Sequence, residues 1–141
     1  MLANLLIDTG AILAILDTRD RWHKVCTDAF LQLRLPALTS EAVLTEVFHL
    51  LGRSRIDSEK AWSFLRSGAV QLAIIDHSEL THLHALMTRY RDRPMDFADA
   101  TLVYLAERES LPVILTVDRS DFSTYRFAGR KRFQILPTEG P

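Results

Sequence analysis

The stretch LLIDTGAILAILD, residues 5–17, sets the architecture of the chain. An apolar run over residues 2–7 reads as a buried strand, Asp8 follows it directly, and residues 9–16 turn to helix period. The same order of strand, polar break and helix then recurs. Residues 20–33 read as a helix with Val25, Ala29, Phe30 and Leu33 on one face, ended by Pro36. A brief strand at residues 37–38 precedes a helix over 40–51, with Val43, Leu44, Val47, Leu50 and Leu51 inward and Gly52 as its stop. Further helices are expected over residues 58–66, 78–90 and 96–109, and strands over 70–75, 113–117 and 133–136. Repeated strand–helix alternation with few hairpin signals predicts an α/β fold, a central mostly parallel sheet flanked by helices on both faces.

Composition narrows the class. The chain has 141 residues, the length of one ordinary domain, and 48% of them are hydrophobic. That is enough for a core without staples, and no stretch is low in complexity, which excludes a disordered protein. No linker or internal repeat interrupts residues 1–137, so they are read as a single domain, with 138–141 as a loose tail. Cys26 is the sole cysteine, so no intrachain disulfide forms, which fits a reducing cytoplasm. The apolar opening is broken by Asp8, lacks a basic flank, and is too short to span a bilayer, so no membrane role is expected. A formal charge of −1 argues against a protein that coats nucleic acid. It leaves open an enzyme that touches one or two nucleotides.

The acids carry the chemistry. In open parallel sheets, ligands bind beyond the carboxyl ends of the strands. Asp8, Asp76 and Asp118 each follow a predicted strand. Glu46 lies within the apolar stripe of its helix, where an unpaired carboxylate is costly. Asp96 and Asp99 open the 96–109 helix, and Asp99 shares a face with Leu102 and Ala106. Each acid also has a purely structural reading. Asp96 is a natural N-cap, Asp76 is best read as the cap of the helix near Ser78, Asp99 answers a helix dipole, and Asp8 and Asp118 suit turns. Several acids at one rim would repel and raise their own pKa values, and a divalent cation would relieve this. An all-oxygen set without a His or Cys cluster favours magnesium or manganese over zinc.

These stretches resemble the motifs of PIN-domain nucleases. LLIDTGAILAILD carries the first acid, Asp8. SEAVLTEVFHLL, residues 40–51, carries Glu46. PMDFADATLVYLAE, residues 94–107, carries Asp99 with Asp96 as an additional acid, and ILTVDRSDF, residues 114–122, carries Asp118. Order and spacing fit over nearly the whole chain, and its length most resembles the VapC-type toxins of bacterial toxin–antitoxin pairs. The resemblance implies a three-layer α/β/α PIN fold and a Mg2+- or Mn2+-dependent endoribonuclease that cleaves single-stranded RNA. It also implies a cognate antitoxin protein as inhibitor and a homodimer. Carried over, Asp8, Glu46, Asp99 and Asp118 are the catalytic acids, and together with Asp96 they are the metal ligands. Thr9, Thr116 and Arg119 are candidate substrate-binding residues. Asp121 reads as local turn structure.

Other features were weighed against this reading. Arg53, Arg55, Arg89, Arg91, Arg93, Arg126, Arg130, Lys131 and Arg132 are candidate phosphate contacts, each more simply read as a soluble face. Trp22, Trp62 and Tyr125 suit base stacking, but core packing explains them as well. His82 and His84 are two apart on a predicted helix and point to different sides, which defeats chelation. Cys26 reads as a small core residue. A dehalogenase-like phosphatase would need an Asp where Gly10 stands, a receiver domain lacks its paired acids here, and no Walker loop is present. The remaining rival is a PIN-like scaffold that binds RNA or protein without catalysis.

Overall fold

The structure, a computed structural model, describes residues 3–34 and 36–141. Met1, Leu2 and Leu35 lie outside the described residues, and with them the expected start of the first strand at Leu2. In chain order the elements are β1 (Leu5–Ile7), α1 (Thr9–Leu16), α2 (His23–Gln32), β2 (Ala37–Ser40), α3 (Glu41–Leu51), α4 (Ser58–Arg66) and β3 (Val70–Ala73). A single 3-10 turn, His77–Glu79, leads into α5 (Leu80–Arg89) and α6 (Phe97–Glu109). The chain closes with β4 (Val113–Leu115), α7 (Arg119–Thr124), β5 (Arg126–Phe127), β6 (Lys131–Arg132) and β7 (Gln134–Leu136).

Five strands pair in the order β3-β2-β1-β4-β7, every neighbour parallel. Helices flank this sheet, so the expected α/β/α architecture stands. The chain leaves β1 towards β2 on one side and later returns to β4 on the other. The crevice between β1 and β4 is therefore the topological switch point, where the loops diverge and a ligand has room. Asp8 and Asp118 follow these two strands. Asp76 follows β3 at the sheet edge, two strands from β1, and its side chain accepts from the Ser78 amide in a capping box with Glu79. No helix among the described residues is long and apolar enough to cross a membrane.

The core lies under the switch point. Leu5, Leu6, Ile7, Ile114 and Leu115 are sealed within the sheet layer, packed against Ile12, Leu102 and Leu105. Each such side chain contributes roughly 1.5–3 kcal/mol on burial. Helix α6 is buried continuously from Ala98 to Ala106. A helix surrounded on all sides has no solvent face, so Asp99 is taken inside with its neighbours.

Several local expectations shift. The buried stripe of α3 is Val43, Val47 and Leu51, spaced four apart, and Leu50 falls on its flank at 37% exposure. Helix α2 starts at His23 because the Asp20 carboxylate accepts from the Trp22 amide and holds a turn there. The expected helix over 78–90 divides into the 3-10 turn and α5. The stretch after Asp118, read as a turn, continues as helix α7, with Asp118 as its N-cap. The β5–β6 hairpin was not anticipated; Ala128 and Gly129 reverse the chain with φ of 46° and 89°. Residues 138–141 form no regular element, but Arg119 Nη2 donates to the Thr138 carbonyl at 2.6 Å.

Gly10 marks the tightest approach between α1 and the β4–α7 connection. A methyl group there would clash with Val117 Cγ2. Alanine in a free helix gains up to about 1 kcal/mol over glycine. Overpacking of a β-branched neighbour costs about 1–3 kcal/mol. Gly10→Ala is therefore expected to lower the melting temperature, and Gly10→Ala with Val117→Ala to recover most of it, as thermal denaturation would show.

Candidate active site

Parallel pairing builds the centre of the site. Leu6 and Ile7 pair with Ile114 and Leu115, and the Asp8 amide extends the ladder to the Leu115 carbonyl at 3.1 Å. The next residue on the opposite strand is Thr116, whose hydroxyl donates to Asp8 Oδ2 at 2.9 Å. The Thr9 amide donates to Asp8 Oδ1 at 2.7 Å as helix α1 begins. Both oxygens of Asp8 are thus held in one orientation by groups that strand register supplies.

The other acids arrive from helices. Thr9 Oγ1 donates to Glu46 Oε1 at 3.2 Å, which ties α3 to the end of β1. The buried Tyr125 hydroxyl donates to Asp99 Oδ2 at 2.9 Å. Asp96 caps α6 by accepting from the Asp99 amide at 2.8 Å, and stays exposed at the mouth of the site. Thr116 Oγ1 also accepts from the Asp118 amide at 2.9 Å, so one hydroxyl links Asp8 to the turn carrying Asp118.

Burial and mutual repulsion set the electrostatics. Burial pushes the Asp8 carboxyl up to about 6, against the Thr9 amide and Thr116 hydroxyl that favour its charge; Glu46 and Asp118 push it up further. Asp99 is pushed up to about 8 by burial and by the charges of Asp96 and Asp8, with Tyr125 opposing. Glu46 is raised by burial and by Asp96, and Asp118 by burial and the adjacent Asp121 carboxyl. Asp8 thus feels the charges of Glu46 and Asp118, and Asp99 those of Asp96, Asp8 and Asp118. One carboxylate oxygen from each of Asp99, Asp118 and Asp121 lies within 4.8 Å of the others, close enough to share a cation. The donor set is all oxygen, which suits a hard divalent ion.

Thr9 and Thr116 lie inside this site, and both hydroxyls are spent on acids. Their place is behind the carboxylates, where they orient them. Arg119 is turned to the C-terminal segment through Thr138. Arg126 likewise serves the backbone, donating to the Ser123, Thr124 and Tyr125 carbonyls. Tyr125 and Cys26 are fully buried, and His82 stacks on Tyr104 at the surface of α5. Two residues stand in a place the sequence did not indicate, since by sequence Asp121 reads as turn structure and Arg93 as a candidate phosphate contact or soluble-face arginine. Asp121 joins the acid cluster, and Arg93 Nη2 donates to Asp121 Oδ1 at 3.1 Å. The spacing of Asp118 and Asp121, three apart, would have signalled a shared helical face had the segment been read as helix. Beside the acids opens a groove of about 530 Å3, lined by Ser40, Ala42, Glu46, Leu80, Asp96 and Phe97 among others.

Comparison with known proteins agrees with this geometry. The PIN domain family profile matches residues 5–128. The chain is 33% identical over 135 residues to Ribonuclease VapC26 of Mycobacterium tuberculosis, across 94% of this chain and all of that protein. Its fold is similar to that of VapC20 of Mycobacterium tuberculosis, described as a toxin that cleaves the sarcin–ricin loop. That likeness has a TM-score of 0.73 at 20% identity, covering 84% of this chain and 94% of the other. A toxin–antitoxin complex from Klebsiella pneumoniae contains a chain similar at a TM-score of 0.63 and 17% identity, covering 86% of this chain and 92% of that one. With its parallel sheet, a family match over residues 5–128 and a relative of matching length, the chain belongs to the PIN-domain family.

Proposed function

We propose that the protein is a divalent-metal-dependent endoribonuclease and the toxin of a toxin–antitoxin pair. One observation supports the reading: Asp99, Asp118 and Asp121 bring carboxylate oxygens within 4.8 Å of one another, beside the buried Asp8 that Thr116 orients and the Glu46 that Thr9 holds. Buried like charges are retained where a cation is to be held. Its relationship to Ribonuclease VapC26 supports the substrate class, and its likeness to a chain of a toxin–antitoxin complex supports a protein inhibitor.

Asp8, Glu46, Asp99 and Asp118 would hold Mg2+ or Mn2+, with Asp96 at the open side. Bound there, such an ion supplies charge stabilisation at the scissile phosphate and lowers the pKa of an attacking water. The chain's own part is orientation. Thr116 and the Thr9 amide fix Asp8, Tyr125 fixes Asp99, and Thr9 fixes Glu46. The open groove beside Glu46 and Asp96 gives a flexible, single-stranded RNA a path to the acids. We read residues 1–137 as the nuclease domain of a cytoplasmic homodimer inhibited by its cognate antitoxin.

Asp8→Asn is expected to abolish Mg2+- or Mn2+-dependent cleavage across a panel of cellular RNAs. Cleavage that survives this change, or that persists in chelator, would reject the mechanism. Thr116→Val removes the donor to Asp8 Oδ2 and the acceptor of the Asp118 amide, so it loosens both acids while the Thr9 amide still holds Asp8 Oδ1. It should lower metal affinity and activity by about 10–100-fold, as loss of an orienting partner does, measured by titrating the metal against initial rates.

Metal-free stability should depend on pH in a defined direction. The ordinary aspartate pKa is about 4, and the folded values of Asp8 and Asp99 stand near 6 and 8. Across that window the folded chain holds protons that the unfolded chain has released. The contribution to stability is full below about pH 4 and is lost as pH rises through the folded values. Asp99→Asn, which keeps an acceptor for Tyr125, should raise the melting temperature in chelator by roughly 3–6 °C at alkaline pH and leave it unchanged at acid pH.

A further inference from the structure

Arg93 is the one basic residue that meets the acid cluster through an ion pair among the described residues. It stands in the turn before α6, where its amide donates to the Tyr90 carbonyl at 2.9 Å and its carbonyl accepts from Met95 at 2.8 Å. Its guanidinium is half-buried and reaches Asp121 at 3.1 Å, while its Nε is buried with no hydrogen-bond partner among the described residues. An arginine held only by surface pairing would turn this donor to solvent, because a buried unpaired N–H is costly. The Asp121 carboxylate is the acid that holds the guanidinium there.

Asp121 is also within 4.8 Å, oxygen to oxygen, of Asp99 and Asp118. The cluster thus has two places for positive charge. One is bounded by the acids at the ends of β1 and β4 and the start of α6. The other is at Asp121 Oδ1, which the Arg93 guanidinium meets at 3.1 Å.

We propose that Arg93 is a built-in counter-cation that takes the place of a second metal ion at Asp121, so that the protein holds a single divalent ion. This rests on the divalent-metal site proposed above and settles its stoichiometry. Arg93 is a positioning residue: it draws Asp121 outward and offsets part of the cluster's charge before any metal arrives. The cost is weaker attraction for the metal; the gain is a metal-free chain whose acids repel less.

The test is Mn2+ binding followed by electron paramagnetic resonance of the free ion, with thermal melting in chelator and in excess Mn2+. Wild type is expected to bind one ion per chain. Arg93→Gln should bind Mn2+ on the order of tenfold more tightly, the effect of removing one close positive charge. It should melt lower than wild type in chelator and recover in Mn2+, a crossing that a merely structural arginine would not give. Arg93→Lys should stay close to wild type. Adding Asp121→Asn to Arg93→Gln should abolish the gain in affinity. Two ions bound by wild type, or unchanged or weaker binding by folded Arg93→Gln, overturns the proposal while RNA cleavage by wild type leaves the nuclease reading standing. Failure of wild type to bind Mn2+ at all rejects both.

Discussion

Repulsion among carboxylates brought together in a poorly solvated crevice is the constraint around which this molecule is organised. Asp8 and Asp99 are each less than a tenth exposed, and both are held well above the ordinary aspartate range. A chain free to relax would turn these side chains to water. It is prevented by register and packing. The Asp8 backbone is locked into the ladder beside Leu115, and Asp99 belongs to a helix that is buried on every side. The strain is local, and the surrounding core offsets it, as is common where function requires an unfavourable arrangement.

The hydroxyl groups behind the acids show how the strain is managed. Thr9, Thr116 and Tyr125 each donate to a carboxylate. A hydrogen bond to an ionised oxygen favours the charged form and fixes its direction. Tyr125 is in turn set by aromatic neighbours. Its ring meets Tyr90 at 5.1 Å and Phe122 at 5.2 Å, and Phe122 meets Phe133 at 5.5 Å, all edge to face. Helix α7, the β5–β6 hairpin and the approach to β7 thus form one aromatic cluster whose polar tip points at Asp99. The segment from α7 to β7 thus supports the site as well as carrying Asp118 and Asp121.

Each of the four principal acids was singled out by a rule that is local in sequence. Asp8 and Asp118 end apolar runs, and parallel strands deliver their carboxyl ends to one rim. Glu46 stood out because a glutamate within an apolar stripe needs a reason, and Asp99 because it shares a face with Leu102 and Ala106. Asp76 obeys the same strand-end rule yet serves as a cap, since β3 is at the sheet edge, away from the switch point. Strand order, which no single segment encodes, separated the two outcomes. Asp121 and Arg93 were read differently from the sequence for a related reason. Each has an adequate local reading, as a turn residue and as a surface arginine, and only their contact across 28 positions gives them a part in the site.

By itself, then, the order of residues determined the alternation of strand and helix, the family motifs and the identity of the acids, because hydrophobic period, capping and strand-end position act over a few neighbouring residues. Tertiary structure alone decided which acids face one another, which hydroxyl holds which carboxylate, and that the Arg93 guanidinium meets Asp121. Those depend on strand order and on distances between segments far apart in the chain, where electrostatic energy changes over a few ångströms and sequence spacing carries no measure of it.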